Sequence, residues 1–372
     1  MADASFCEVT VYLKGVWLSD FRNFQELSLS IQRRIVLFQG SNAQGKSNLL
    51  EGIYYLFCLS SPRTNHPEEM IRHGAGSFTI RAKVEDGQGE RELAVHLKPE
   101  GRWVWMSGRR VNQPAKEWGR FAAVIFSPED LSLVSEGDEV RRRFLDQCAV
   151  RANPGYRREL ARFRRILLQR NRLLRLGKGD QLSQWNSQLA QTWKKICRER
   201  LGILIQLNQE IPPLLATVGG AMAVRFAYQP SLLPLEEFLC ADLEVRLGER
   251  RGEEVRAGCS LYGPHRDRVL IEIGGHNARR FTSRGEKRLL AVSWRLFEAY
   301  HLRRILGEFP LMLLDDLFSE LDEERRQKVA SILREGGQSL ITCSDLASIG
   351  PLFPEAEVFL IRSGRAQRLG ES

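Results

Sequence analysis

The chain has 372 residues, 43% of them apolar, and a formal net charge of +9. That is enough apolar residue to exclude a disordered chain, and enough length for one large domain or two ordinary ones. The basic excess favours an anionic partner such as nucleic acid. Seven cysteines lie scattered with no CxxC pair, which argues against a disulfide framework or a zinc site and for a reducing compartment. No apolar run approaches the roughly 20 residues that cross a bilayer. The opening stretch MADASFCEV carries acid and no apolar run, unlike a secretory signal. The expectation is a cytoplasmic protein with no membrane partner.

In chain order, Val11–Leu18 and Leu27–Ile31 read as strands flanking a turn at Asp20–Asn23. The apolar run Arg34–Phe38, ending at Gly40, has the pattern of a buried strand. Leu49, Leu50, Ile53, Tyr54 and Phe57 then repeat at helical spacing between Lys46 and Leu59. Phe78–Val84, Leu93–Leu97 and Trp103–Met106 predict a β-meander, with turns at Asp86–Gly89 and Glu100–Gly101. From Asp138 to Ile211 the pattern is helical, broken at Asn153–Gly155 and Gly177–Gly179 and ended by Pro212–Pro213. Two apolar stripes, Leu160/Phe163/Leu167/Leu174 and Leu182/Trp185/Leu189/Trp193/Ile196, predict an antiparallel helical hairpin. Strands at Pro310–Leu314, Ser339–Cys343 and Glu357–Arg362, with a helix at Glu323–Glu335, return the chain to β/α alternation. The fold class is therefore α/β with an inserted helical lobe: residues 1–126 and 256–372 form one parent domain, and 127–255 the insertion.

Gly40-Ser41-Asn42-Ala43-Gln44-Gly45-Lys46-Ser47 fits GxxxxGK[ST] and lies between a predicted strand and a predicted helix. The glycines let consecutive N–H groups curl around phosphate oxygens, and the helix N-terminus adds partial positive charge. In that context Lys46 serves the β- and γ-phosphates of ATP and the Ser47 hydroxyl ligates Mg²⁺. LMLLDD ends in Asp315 and Asp316, carboxylates at the tip of a buried strand, where Mg²⁺ is commonly held. Thr282-Ser283-Arg284-Gly285-Glu286 opens a helix. It reads either as a second phosphate site at a helix N-terminus or as a capping box with Glu286 at the third position.

The order of phosphate loop, S-R-G-E, apolar strand with two aspartates, then Ser319-Glu320-Leu321-Asp322 resembles the ABC-type ATPases. That resemblance implies two heads sandwiching two ATP molecules. Ser283 and Gly285 would act in trans, Asp315 would hold Mg²⁺, and Asp316 would orient the attacking water. Ser19-Asp20-Phe21-Arg22-Asn23 and AQGKSNLLEGIY are similar to SMC-like heads. Pro128–Asp146, Tyr262–Asp267 and DDLFSELDEERR narrow the resemblance to the bacterial RecF family. The fold class it implies is an ABC/SMC-like P-loop ATPase head, with Arg22 among the residues at the nucleotide. The family further implies an ATP-dependent homodimer that acts in recombinational repair, replication restart and the SOS response. It would bind single-stranded, gapped or double-stranded DNA, with RecR and RecO as partners in loading recombinase. A nucleotide-binding subunit of an ABC transporter is the alternative function.

Three departures stand out. Glu286 replaces the neutral amide usual in the RecF signature, Thr342-Cys343 stands where many ABC ATPases carry a switch histidine, and Ser127-Pro128-Glu129 replaces the Q-loop glutamine. Asp316, shorter than the glutamate of transporter ATPases, predicts slow hydrolysis. For DNA, Arg141–Lys178 holds thirteen basic residues against Asp146 and Glu159, a one-signed run suited to phosphate. Arg158, Arg162, Arg165 and Arg172 are its candidate contacts. Arg142 and Arg143 are candidates to pair with Asp146 instead. Arg63 resembles the arginine that SMC-like heads place near nucleotide and DNA.

Overall fold

The computed structural model describes residues 11–370. The chain divides into two compact units. One is formed by residues 1–129 with 298–372, the other by 130–297.

The first unit holds two sheets and a helix that fills the space between them. In the parallel part of one sheet, Ile35–Gln39 lies between Ser339–Cys343 and Glu357–Arg362. Beyond Ser339–Cys343 come Leu311–Leu314 and then Ala123–Phe126. Arg365–Leu369 closes the other edge antiparallel to Glu357–Arg362. The strands AVIF and LMLL are buried throughout, as parallel strands covered on both faces must be. The second sheet is an antiparallel meander in the order Phe24–Ser30, Tyr12–Phe21, Phe78–Asp86, Gly89–Lys98, Gly101–Met106. Helix Lys46–Cys58 is buried almost all round, from Leu49 to Phe57. Its side chains join those of both sheets in one core, the environment expected of a helix without a polar face.

The second unit is mainly helical. Asp138–Ala152, Tyr156–Arg175 and Ser183–Thr217 surround a small antiparallel sheet of Val224–Gln229, Arg268–Ile273 and His276–Asn277. Trp294 packs edge-on against Phe144 and Phe226, at 5.2 and 5.1 Å.

The helical region thus ends at Phe297 and not at residue 255. Strand Arg268–Ile273 pairs with Val224–Gln229 and Trp294 lies in the same core, so the 256–297 segment belongs with the helices. Pro212 and Pro213 also fail to end their helix, which runs to Thr217. Burial of Ile211, Leu215 and Val218 outweighs the lost hydrogen bonds so near the C-terminus.

Nor do Arg142 and Arg143 pair with Asp146. Arg200 holds Asp146 bidentately at 2.8 and 2.9 Å, while Arg142 donates to the carbonyl of Asp267 and Arg143 to Glu139. Asp267, fully buried, accepts from Trp193 Nε1, Tyr228 Oη and the Ser231 amide. The YGPHRD segment therefore anchors the helical core.

Candidate nucleotide site

The phosphate loop leaves strand Ile35–Gln39 and enters helix Lys46–Cys58 through two left-handed residues, Ala43 (φ 63°) and Gly45 (φ 109°). A Cβ at Gly45 would lie 2.5 Å from Asn23 Nδ2, and one at Gly40 would lie 2.4 Å from the carbonyl oxygen of Ile361. Both positions require glycine for space, and Gly45 also for its backbone angle. The loop is braced from behind. Gln44 accepts from the amide of Ser363 through Oε1 at 2.7 Å and from Asn23 Nδ2 through its carbonyl at 3.3 Å.

Lys46 is buried, and its Nζ donates to the carbonyls of Gly40 and Ser41 at 2.7 and 3.1 Å. Its ammonium therefore sits inside the loop. Ser47 Oγ donates to Asp315 Oδ1 at 2.9 Å. Thr342, on the strand between the loop strand and Leu311–Leu314, donates to the same oxygen at 2.9 Å. Burial pushes the Asp315 carboxyl above its usual range, while the Ser47 and Thr342 hydrogen bonds pull it back. Asp316 adopts the left-handed conformation (φ 48°, ψ 22°) with its amide donating to Thr342 Oγ1 at 2.8 Å. Its Oδ1 is buried without a hydrogen-bond partner.

Such an orphaned carboxylate oxygen normally has a water or ion to satisfy it. With the curled loop, the enclosed lysine and the Ser47–Asp315 pair, the residues fit a nucleotide triphosphate with Mg²⁺.

Arg22, expected at the nucleotide, makes three hydrogen bonds within the protein. Its guanidinium binds Glu51 through Nε and Nη2 at 2.9 and 2.7 Å, and Nη1 donates to the carbonyl of Glu69. Glu51, fully buried on the loop helix, also accepts from Ser61 Oγ at 2.7 Å and Arg63 Nη1 at 3.4 Å. Arg63 reaches Asn48 at 2.9 Å as well. Arg22 and Arg63 thus meet on one carboxylate, which fixes the helix that carries Lys46 and Ser47. Sequence reasoning missed Glu51, although an acid within LLEGIYYLF is the signal of a paired buried charge. It also missed Thr342 as the partner of both aspartates.

Ser283 and Gly285 lie in the second unit, where Glu286 forms a reciprocal capping box. Glu286 Oε2 accepts from the Ser283 amide at 2.8 Å and from its hydroxyl at 2.7 Å. These hydrogen bonds hold the Glu286 carboxyl below its usual range. Of the basic run, Arg170 is buried on Glu254 at 2.6 Å. Arg158, Arg162, Arg165 and Arg172 are exposed on helix Tyr156–Arg175. Their spacing of 4, 3 and 7 residues sets them along one helical stripe about 21 Å long. No carboxylate pairs with them among the described residues.

The model of the RecF/RecN/SMC N terminal domain matches residues 12–348. The DNA replication and repair protein RecF of Lactobacillus johnsonii is 33% identical over 367 residues, 95% of this chain and 98% of that protein. RecF of Moorella thermoacetica is 32% identical over 96% of each. The solved structure of the recombination mediator RecF with ATP, from the RecFOR pathway, covers 99% of this chain and all of its own at 28% identity, with a TM-score of 0.87. An Smc head from Pyrococcus furiosus, at 13% identity and a TM-score of 0.57 over 97% of this chain and 96% of its own, shares the fold. The chain belongs to the RecF family of SMC-like, ABC-type ATPase heads.

Proposed function

We propose that the chain is an ATP-dependent DNA-binding protein of replication and recombinational repair, in which two copies close over nucleotide and hold DNA. One combination of features supports this reading above the rest: a built phosphate cradle and an unpaired stripe of four arginines. Full-length similarity to proteins named for DNA replication and repair points the same way. Neither feature favours a transporter subunit.

In this reading Gly40 to Ser47 wrap the phosphates of ATP, and Lys46 turns from the loop carbonyls to the β- and γ-phosphates. Ser47 and Asp315 hold Mg²⁺, which when bound neutralises developing charge on the phosphates. Asp316 Oδ1 orients the attacking water, and its short side chain keeps turnover slow. Ser283 and Gly285 of a second copy cap the nucleotide, so closure depends on ATP. Arg158, Arg162, Arg165 and Arg172 contact the DNA backbone without reading sequence. Arg63, held on the loop helix by Asn48 and Glu51, is a further DNA contact, and Arg22 supports the nucleotide through Glu51. RecR and RecO are the proposed partners, and the cytoplasm and the SOS response the proposed setting.

The test is DNA binding and particle mass for wild type, Lys46→Ala and Asp316→Asn with ATP. Lys46→Ala is expected to stay monomeric and Asp316→Asn to be trapped as a dimer on DNA. A monomeric Asp316→Asn protein would overturn the reading.

A further inference from the structure

The meander of the first unit buries one face and turns the other to solvent. Val16, Leu18, Ile80, Ala82, Leu93, Val95 and Val104 point into the core. Strand alternation sends Trp17, Arg81, Ala94, Trp103 and Trp105 to the opposite face. The ladder sets them in two rows. One runs Ser28, Trp17, Arg81, Ala94, Trp105, Arg110; the other runs Glu26, Ser19, Thr79, His96, Trp103. All three tryptophans on this face are partly exposed, where a solvated sheet face would ordinarily be polar.

The lie of the rings matters more than their number. A Cβ at Gly15 would be 3.0 Å from the Trp17 ring, and one at Gly101 would be 3.7 Å from the Trp103 ring. These two indoles each reach back over a glycine two residues away on their own strand, and the Trp103 ring also lies 6.2 Å from that of His96. Ala94 stands between Arg81 and Trp105 in register. Trp103 and Trp105 are about 7 Å apart along the strand, and Trp17 stands three strands, about 14 Å, from Trp105.

The charges around the rings are unevenly spread. Arg81, Lys98 and Arg110 are exposed and meet no carboxylate among the described residues. Acids on this face are set against a lysine or on the edge strand. Glu90 bridges Lys83 at 3.3 Å, Glu92 stands opposite Lys83 in register, and Glu26 is on the edge strand.

We infer that this face is a stacking platform for single-stranded nucleic acid, with bases on Trp17, Trp103 and Trp105 and backbone phosphates on Arg81, Lys98 and Arg110. Flat aromatic rings on an open sheet, flanked by cations, are the elements by which sheets capture two or three unpaired bases. A duplex, whose bases are already stacked, has no use for them. The inference rests on the proposal that the chain binds DNA and divides the labour: arginines of Tyr156–Arg175 for the backbone of any DNA, the meander for unpaired strand. Readout would be indifferent to sequence, because every base has a π-face.

The experiment measures binding of labelled oligothymidylate and of a duplex to the full chain, for wild type and for Trp17→Ala, Trp103→Ala, Trp105→Ala, their Phe counterparts and Arg81→Glu. Each Ala variant is expected to weaken single-strand binding about tenfold, the loss of one stacked base. The Phe variants should recover most of that loss, and duplex affinity should stay at the wild-type value. Arg81→Glu, at an exposed site that leaves the core untouched, should also weaken the single strand alone. Oligothymidylate should quench the tryptophan fluorescence of wild type.

Folded Ala and Glu variants that bind oligothymidylate like wild type would overturn the platform. An equal loss of single strand and duplex would do the same. So would a change in particle mass with DNA affinity intact, since the face would then dock a second copy. In each of those cases loss of duplex binding in Arg158→Ala/Arg162→Ala/Arg165→Ala/Arg172→Ala leaves the DNA-binding proposal standing. A wild-type chain that holds neither form of DNA removes both.

Discussion

The hydroxyl of Thr342 donates to Asp315 Oδ1 at 2.9 Å, and Thr342 Oγ1 in turn accepts from the amide of Asp316 at 2.8 Å. One buried side chain thus positions the Asp315 carboxylate and fixes the left-handed turn that aims its neighbour. Thr342→Val keeps the shape, removes both bonds and strands a buried amide, a loss of about 1–3 kcal/mol. Turnover of ATP is expected to fall at least tenfold, with KM for ATP changed less, and Thr342→Ser is expected to restore it. Steady-state kinetics decides; a valine variant with wild-type kcat would show that Thr342 only fills space.

Glu286 competes for Ser283. While its carboxylate takes both the amide and the hydroxyl of that serine, the serine has no donor left for a phosphate. Glu286→Gln retains a capping side chain but is a weaker acceptor. The variant is expected to dimerise at lower ATP concentration, read by sedimentation across an ATP titration. The hydrogen bonds depress the Glu286 carboxyl, so mild acid above pH 5 leaves it charged and cannot mimic the substitution.

Glu51 gathers Arg22, Arg63 and Ser61 around a fully buried carboxylate. Taking away one partner of a buried pair costs about 3–5 kcal/mol, because the other charge is left without compensation. Glu51→Ala should lower the denaturant midpoint accordingly and weaken ATP binding, through the helix that bears Lys46. The double variant Arg22→Met/Glu51→Met should lose less stability than Glu51→Ala alone. Additive losses for Arg22→Met, Glu51→Met and their double variant would mean that the pair is not coupled.

His265 packs on Phe163 with ring centroids 5.7 Å apart, and burial pushes its imidazole down to about 4. The folded state therefore keeps it neutral while the unfolded chain, titrating near 6.5, takes up a proton. Stability attributable to this residue is complete above pH 6.5 and is lost as pH falls toward 4. The shift corresponds to roughly 3 kcal/mol. His265→Gln should flatten the fall in unfolding free energy between pH 6.5 and 4 relative to wild type. Parallel pH profiles would remove His265 as its source.

The phosphate loop and the two aspartates were legible because each is a short motif bound to a strand tip, where local sequence dictates geometry. The parallel strands were equally plain as apolar runs. What the sequence hid was long-range. Nothing near Thr342 announces that its strand lies between Ile35–Gln39 and Leu311–Leu314, and only that placement brings it to both aspartates. Nothing near Arg22 in sequence announces that its charge meets Glu51, because the two lie 29 residues apart. The end of the helical unit was misjudged because 256–297 changes composition without leaving the core. Pro212 and Pro213 misled for a related reason: local propensity yielded to the burial of Leu215 and Val218.

The strand that leads into the phosphate loop finds its two neighbours, Ser339–Cys343 and Glu357–Arg362, some three hundred positions later, and Gln44 is braced by Ser363. During synthesis the first part of the chain therefore emerges with its loop unsupported, and contacts so distant in sequence form late. A ribosome-bound chain that stops short of residue 339 should retain no ATP. On the proposed reading, the nucleotide would be taken up only when translation is nearly over, and an incomplete copy would not close on DNA.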